Sequence, residues 1–187
     1  MTSKLKVNLI NDSGDNNIIT SDGAGSFTAS SGLASSVQSV GGIQNTPAFR
    51  AEQGSNQNIS DAVYTKAQID SENFDTDGCY DTSNYRFTPT TAGKYFVYAQ
   101  IECYGGATDS IVETSPAIRR NGSNVSRQSF SRISGQLHVI SNYLTATVEM
   151  NGTTDYVEVF AYCDSSSTPR IQASGFTYFG AYRIIGA

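Results

Sequence analysis

The stretch from Phe87 to Cys103, FTPTTAGKYFVYAQIEC, constrains this chain more than any other. It closes one strand, turns through Pro89 and Ala92-Gly93, and runs into nine residues dense in β-formers. In a pleated strand Tyr95, Val97, Ala99, Ile101 and Cys103 share one side, while Phe96, Tyr98, Gln100 and Glu102 share the other. A strand with one wholly apolar face, and aromatic residues on both faces at its start, asks for two neighbours. One is a facing sheet; a second subunit is a candidate for the other.

The rest of the chain repeats this period of two. TPAFRA gives a short strand after Pro47, and Val63, Thr65, Ala67 and Ile69 alternate with Tyr64, Lys66 and Gln68 as a half-buried strand. ENFDTDGCYDTSNY (residues 72 to 85) reads as an irregular loop. Ala117 to Arg120 and Val125 to Phe130 flank Asn121-Gly122-Ser123-Asn124, a hairpin signal. Leu144, Ala146, Val148 and Met150 line one face of the next strand, which ends at Asn151-Gly152. Val157, Val159, Ala161 and Cys163 line its expected partner, with Tyr156, Phe160 and Tyr162 opposite. After the SSSTP loop, Ser174 to Ile185 forms a last strand. No segment shows a helical period. Many short strands parted by turns predict an all-β fold, a sandwich or a jelly roll around one core at this length of 187 residues.

Residues 1–45 differ. Short β-like runs at Leu5–Ile10 and Asn17–Thr20 precede a Gly/Ser-rich stretch with isolated apolar residues. Such a segment buries too little apolar area to fold alone, so it reads as an attachment arm that orders against a partner. Leu5, Val7, Leu9, Ile18, Ile19 and Phe27 are its expected anchors, in the manner of a docking peptide that adds to a sheet.

Charge narrows the function classes. With 12 basic against 17 acidic residues the net charge is −5, and the basic residues gather no further than Arg119-Arg120, Arg127 and Arg132. That is too little for nucleic acid; those arginines are expected on a solvated hairpin, with binding of a phosphate or sulfated glycan as the lesser alternative. No apolar run approaches the about 18 residues of a spanning helix, so no membrane insertion is expected. The start MTSKLKVNLINDSG lacks the apolar core of a signal sequence. The sequons at Asn58, Asn121, Asn124 and Asn151 therefore carry no expectation of glycosylation. Cys79, Cys103 and Cys163 show no CxxC spacing, and the expectation is three small buried hydrophobes in a chain assembled in a reducing cytoplasm.

No motif of catalysis stands out. His138 is the only histidine, sits among Leu137, Val139 and Ile140 as an ordinary strand residue, and follows no nucleophile-elbow pattern. Glu102, Glu113, Asp155 and Glu158 show no pairing of the glycosidase kind. Asp75-x-Asp77-Gly78 with Asp81 has part of a calcium loop but lacks its later ligands, and Asx-turns account for it. The chain is expected to be no enzyme and to need no cofactor or metal.

The order of these pieces resembles the jelly-roll superfamily of the complement globular head and tumour necrosis factor (TNF). The resemblance covers about residues 46–187. It rests on PAFRA at 47–51, Val63-Tyr64-Thr65-Lys66, the Asn73-Phe74-Asp75 to Tyr80-Asp81 loop, and Phe87-Thr88-Pro89 with Ala92-Gly93-Lys94-Tyr95-Phe96. The Arg120-Asn121-Gly122 turn and the closing Ser174-Gly175-Phe176 to Phe179-Gly180 strand complete it. Where that family often carries Gly-Asp before its penultimate strand, this chain has Asn151-Gly152-Thr153-Thr154-Asp155. The front, Ser3 to Asn8 with the Asn45 to Phe49 junction, resembles the starts of tail-fibre and other virion proteins of marine bacteriophages. Together the resemblances imply a homotrimeric knob on a virion surface, with Phe96, Tyr98, Phe160, Tyr178 and Phe179 meeting around the threefold axis. They also imply that residues 1–45 dock to a capsid or tail protein. The arm has no heptads or collagen triplets, which favours a capsid decoration or short tail appendage over a long fibre. The competing expectation is a receptor-binding module that takes a host glycan or protein on the loops at 72–85, 104–115 and 163–174.

Overall fold

The computed structural model describes residues 9–11, 13–14, 16–21, 23–24, 27–29, 45–132 and 137–184. The chain divides into two compact units, residues 1–44 and 45–187.

In the first unit β1 (Leu9–Asn11), β2 (Asn17–Ser21) and β3 (Phe27–Ala29) form a small antiparallel meander. Ile10, Ile19 and Ala29 fall in one cross-strand row, and Leu9 pairs with Thr20. Leu9 and Ile10 are exposed, while Ile18 and Ile19 are half-buried. The expected anchors Leu5 and Val7 lie outside the described residues.

In the second unit the chain continues through β4 (Ala48–Gln53), β5 (Gln57–Asn58), β6 (Thr65–Lys66), β7 (Ser71–Asp75), β8 (Tyr80–Asp81) and β9 (Arg86–Phe87). It then runs through β10 (Gly93–Tyr104), β11 (Ile111–Thr114), β12 (Ala117–Arg120), β13 (Ser123–Arg127), β14 (Phe130–Ser131) and β15 (Val139–Met150). β16 (Val157–Ala161), β17 (Cys163–Ser165), β18 (Arg170–Ile171) and β19 (Ser174–Arg183) complete it. No helix occurs among the described residues. Two antiparallel layers result. In the first, β10 pairs with β15 along its full length on one side, and with β19 and then β18 on the other. β4 and β7 continue beyond β19, and β5 lies beyond β18. In the second layer β16 lies between β12 and the short strands β6 and β9, with β13 and β8 outermost. A bond from Ser115 N–H to the Tyr162 carbonyl (3.0 Å) carries the β12–β16 ladder on into β11–β17.

The alternation in β10 does what its pattern demands. Tyr95, Val97, Ala99, Ile101 and Cys103 are all buried between the layers. Phe49 of β4 is the hub of this core: it stacks on Tyr80 (4.4 Å between centroids) and Phe87 (4.7 Å), and meets Phe179 edge-on (4.8 Å). Because Phe87 and Tyr80 belong to the second layer and Phe179 to the first, this aromatic cluster ties the two together. Apolar surface removed from water there drives the closure of the sandwich.

Four expectations need correction. β15 and β16 are not partners: β15 pairs with β10 and β16 with β12, in different layers. The turn between them crosses the sandwich, since Asn151 Oδ1 accepts the N–H groups of Thr153, Thr154 and Asp155 (2.9–3.0 Å). The strand expected over Val63–Ile69 shrinks to Thr65–Lys66. Ala67 and Ile69 are buried as foreseen, but Val63 is exposed after Ala62, whose φ of 53° breaks the ladder. Residues 71–75, taken mostly as loop, form β7 on the edge beside β4. The hairpin after β12 turns on two residues, with Asn121 at φ 49° and Gly122 at φ 81°, so Ser123 and Asn124 belong to β13. Positive φ at both central positions suits the twist of a tight hairpin and selects Asn-Gly.

Candidate functional site

The first layer has a core-facing side and an outer side, and the outer side is aromatic. The register places Tyr98 of β10 beside Gly180 of β19, with Arg50 of β4 beyond. One row away Phe96 pairs with Tyr182, and on the other side Gln100 pairs with Tyr178. The rings touch: Phe96–Tyr182 at 5.4 Å, Tyr98–Tyr178 at 6.2 Å and Phe96–Tyr98 at 6.3 Å between centroids. Arg50 lies over Tyr178 at 4.4 Å and is held there by Glu52 (2.9 Å).

Gly180 makes this packing possible. A Cβ there would come within 2.3 Å of Tyr98 Cζ, so the Tyr98 ring occupies the space a side chain would take. Folded onto the sheet, Tyr98 loses water around its hydroxyl, and burial pushes its phenol above the ordinary value although nearby Arg50 pulls it down. The result is a continuous aromatic surface whose rings are inclined to one another by 28–62°. The alternation Tyr178-x-Gly180-x-Tyr182 signals it in the sequence; Tyr182, Gly180 and Arg50 were not among the expected site residues.

The five aromatic residues expected at a threefold axis do not lie together. Phe96, Tyr98 and Tyr178 share the surface just described. Phe179 does not: it is fully buried, packed on Phe49 and Tyr80, because it shares the core-facing parity of β19 with Ala181. Phe160 faces outward from the second layer, beneath the Arg119 guanidinium (4.1 Å).

Other sequence candidates find local partners. Asp75 accepts the N–H groups of Asp77 and Tyr80, and Asp81 those of Ser83 and Asn84, as Asx-turns. Hydrogen bonds from Asn84 hold the Asp81 carboxyl below the usual range. His138 is exposed at a bend before β15, not within a strand, with its ring edge-on to Tyr104. Glu102 accepts from Ser141 (2.8 Å) and Glu113 from Ser129 (2.8 Å). Glu158 is buried and takes Lys66 (3.0 Å) and Arg86 (2.9 Å) on one oxygen. Asp155 takes Arg120 (2.7 Å), the Asn121 amide (2.7 Å) and the Asn151 N–H (2.8 Å), and these hold its carboxyl down at about 2. The arginines expected to gather separate accordingly: Arg120 goes to Asp155, Arg132 to Asp109, and Arg119 to Phe160. All three cysteines are buried free thiols. Those of Cys103 and Cys163, from opposite layers, share a hydrogen bond that raises the first and lowers the second. Among the described residues no group of three His, Cys, Asp or Glu side chains is placed to hold a metal ion.

No protein-family model matches the chain, and no curated protein matches its sequence. Solved structures do. The crystal structure of murine APRIL at pH 5.0 superposes with a TM-score of 0.56 at 12% identity, covering 73% of this chain and 98% of that one. The structure of murine APRIL at pH 8.5 gives 0.53 at 13%, with the same coverage. The second unit is a TNF-like jelly roll. At this identity the likeness concerns the fold. In the TNF-like sandwich the aromatic surface is the outer side of the β7–β4–β19–β10–β15 layer, away from the core.

Proposed function

We propose that the chain is a virion surface protein of a bacteriophage: a homotrimeric knob formed by residues 45–187, docked to the particle by the N-terminal unit. The observation that carries the trimer is the outer aromatic face. Phe96, Tyr98, Tyr178 and Tyr182 gather on a layer whose other side already fills the core, so intrachain packing does not account for them. Covering the apolar area these rings still expose is favourable by about 25 cal/mol per Å², and aromatic residues are enriched in interface cores. Tyr143 of β15, the cross-strand partner of Gln100, is exposed on the same side and carries that face to the edge of the layer. The TNF-like fold, with the resemblance of the sequence to trimeric complement heads, favours three.

The virion setting is supported by the resemblance of Ser3–Asn8 and Asn45–Phe49 to phage structural proteins. The arm is supported by the small β1–β2–β3 sheet, which leaves Leu9 and Ile10 exposed. Three arms per knob would add avidity to a weak individual contact. Sedimentation equilibrium tests the trimer: the wild type is expected as a trimer and Phe96→Glu as a folded monomer. A Phe96→Glu protein that remained trimeric would overturn the assignment. Particles exposed to protein lacking residues 1–44 test the arm: full occupancy without those residues would exclude docking through them.

A further inference from the structure

The outer side of the second layer has the opposite character from the first. There β16 and the residues flanking it turn Tyr156, Glu158, Phe160 and Tyr162 to the side away from the core, and cations lie over Tyr156 and Phe160. Arg86 rests over Tyr156 at 3.9 Å and Arg119 over Phe160 at 4.1 Å, with Tyr64 at 4.9 Å on its flank. Glu158 neutralises one charge, bonding both Lys66 and Arg86. Arg86, Arg119 and Lys66 stand against the buried Glu158 and the exposed Asp81, the cross-strand partner of Arg86, which leaves a small positive excess on this face of a chain whose net charge is −5.

Arg119 is the distinctive member. Its Nε donates to Asn124 Oδ1 (2.9 Å), which fixes the guanidinium plane; its cross-strand neighbour Glu158 is committed to Lys66 and Arg86, and among the described residues no carboxylate forms an ion pair with it. A guanidinium held flat between two rings, with its terminal N–H groups uncommitted to a counter-ion, is preorganised for a planar or tetrahedral anion. We infer that this face is a binding site for a short acidic saccharide, whose carboxylate or sulfate is taken by Arg119 and whose hydroxyls meet the neighbouring neutral groups. Asn124 and the Tyr64 hydroxyl, itself hydrogen-bonded to Ser115 (3.2 Å), supply such groups.

Two features favour a short saccharide over nucleic acid. The cationic strip ends at Tyr162, where Glu113 and Asp164 face each other on β11 and β17 and would repel a long polyanion. Single-stranded nucleic acid also needs open ring faces for base stacking, and here the Tyr156 and Phe160 faces are covered by guanidinium groups. The site lies on the layer opposite the aromatic surface and does not depend on the trimer.

The test uses the full chain, with amide chemical shifts and calorimetry as readouts. Its probes are a sulfated, uronate-containing tetrasaccharide, the neutral tetrasaccharide of the same backbone, and a short oligo-dT. The acidic sugar is expected to bind in low salt and to shift the Tyr64, Arg119, Asn124 and Phe160 amides, while the neutral sugar binds at least about tenfold more weakly. Arg119→Gln is expected to weaken the acidic sugar at least about tenfold, Arg119→Lys less, and exposed Lys94→Gln not at all. Undiminished binding by Arg119→Gln, shifts confined to other surfaces, no binding at all, or tighter binding of oligo-dT would each overturn the inference. If Arg119→Gln fails to fold, the wild-type shift map and Arg119→Lys decide.

Discussion

Gly180→Ala is the sharpest probe of the aromatic surface, because the sign of its effect is at stake. Gly180 lies mid-strand and outside the left-handed region of φ. In open space, replacing such a glycine stabilises by about 0.4–1 kcal/mol through the unfolded chain. The geometry predicts the reverse. The new methyl would stand 2.3 Å from Tyr98 Cζ and 2.4 Å from its hydroxyl oxygen, distances no pair of unbonded carbons or oxygens tolerates. Tyr98 must swing off the sheet, breaking its contacts with Phe96 and Tyr178. Overpacking of this kind costs about 1–3 kcal/mol, which outweighs the entropic gain, so a net loss of about 1–2 kcal/mol is expected. For a unit of this size that lowers the melting temperature by roughly 2–4 °C per kcal/mol. Urea denaturation at fixed protein concentration measures it, and a double-mutant cycle isolates the cause. In a Tyr98→Ala background the methyl has room, so Gly180→Ala should there be neutral or mildly stabilising, with a coupling of at least about 1 kcal/mol. A stabilised Gly180→Ala single variant, or the same penalty with Tyr98 removed, would refute the packing described for this face.

Three further expectations follow from the same geometry. Phe179→Ala, which empties a site bounded by Phe49 and Tyr80, should cost about 3–5 kcal/mol in chemical denaturation. Phe96→Ala on the outer side should cost the isolated subunit markedly less; equal losses would contradict the division between core and surface. Asp155 is held at about 2 against an ordinary 3.8. Its folded value being the lower, it stabilises the fold above about pH 4 and that contribution is lost as pH falls towards 2. Asp155→Asn should therefore flatten the acid limb of a stability–pH profile, and an unchanged limb would show that the Arg120–Asn121–Asn151 cluster is not what acid disrupts. Cys79, Cys103 and Cys163 should resist a thiol reagent in the native protein and all react in denaturant; rapid native labelling of Cys103 or Cys163 would place them outside the core.

What the sequence made legible were faces, and what it hid were neighbours. The alternation in β10, β15 and β16 correctly sorts inward from outward side chains, because the pleat has a period of two whatever the strand pairs with. Alternation says nothing about which layer a strand joins. The run Leu144–Met150 and the run Val157–Cys163 looked like a hairpin, yet Asn151 caps a turn that sends them to opposite layers. Phe160 was likewise rightly read as outward, but on the wrong layer. Phe179 lies in the core for a different reason: it shares the inward parity of Ala181 two residues on, and aromatic character by itself does not report a side. The β7 strand was hidden by its exposed, polar edge position, Ser71-Glu72-Asn73, where ladder bonds to β4 rather than burial fix the conformation. The packing roles of Gly180, legible only as part of the closing strand, and of Arg119, legible only as one of a loose group of arginines, lie in rings from other strands, which no local pattern reports.

The two outer faces of the sandwich carry different chemistry on the same strand logic. On each layer aromatic side chains point away from the core, but their polar neighbours differ. Around Phe96, Tyr98 and Tyr182 the next strand offers Gly180, which gives the Tyr98 ring room against the sheet, and the one cation there, Arg50, is paired with Glu52. Around Tyr156 and Phe160 the adjacent strands offer Arg86, Arg119 and Lys66, which cover the rings with groups that water solvates well. Desolvating the first surface releases free energy; desolvating the second costs it unless an anion replaces the water. A subunit that associates through the first face can therefore keep the second in solvent, free for a hydrophilic ligand. Two packed layers stand about 10 Å apart, so the outer faces lie beyond the range at which substitutions usually couple. Changes at Phe96 and at Arg119 should accordingly act separately, the first on assembly and the second on ligand. Strong coupling between them would mean that one surface serves both purposes.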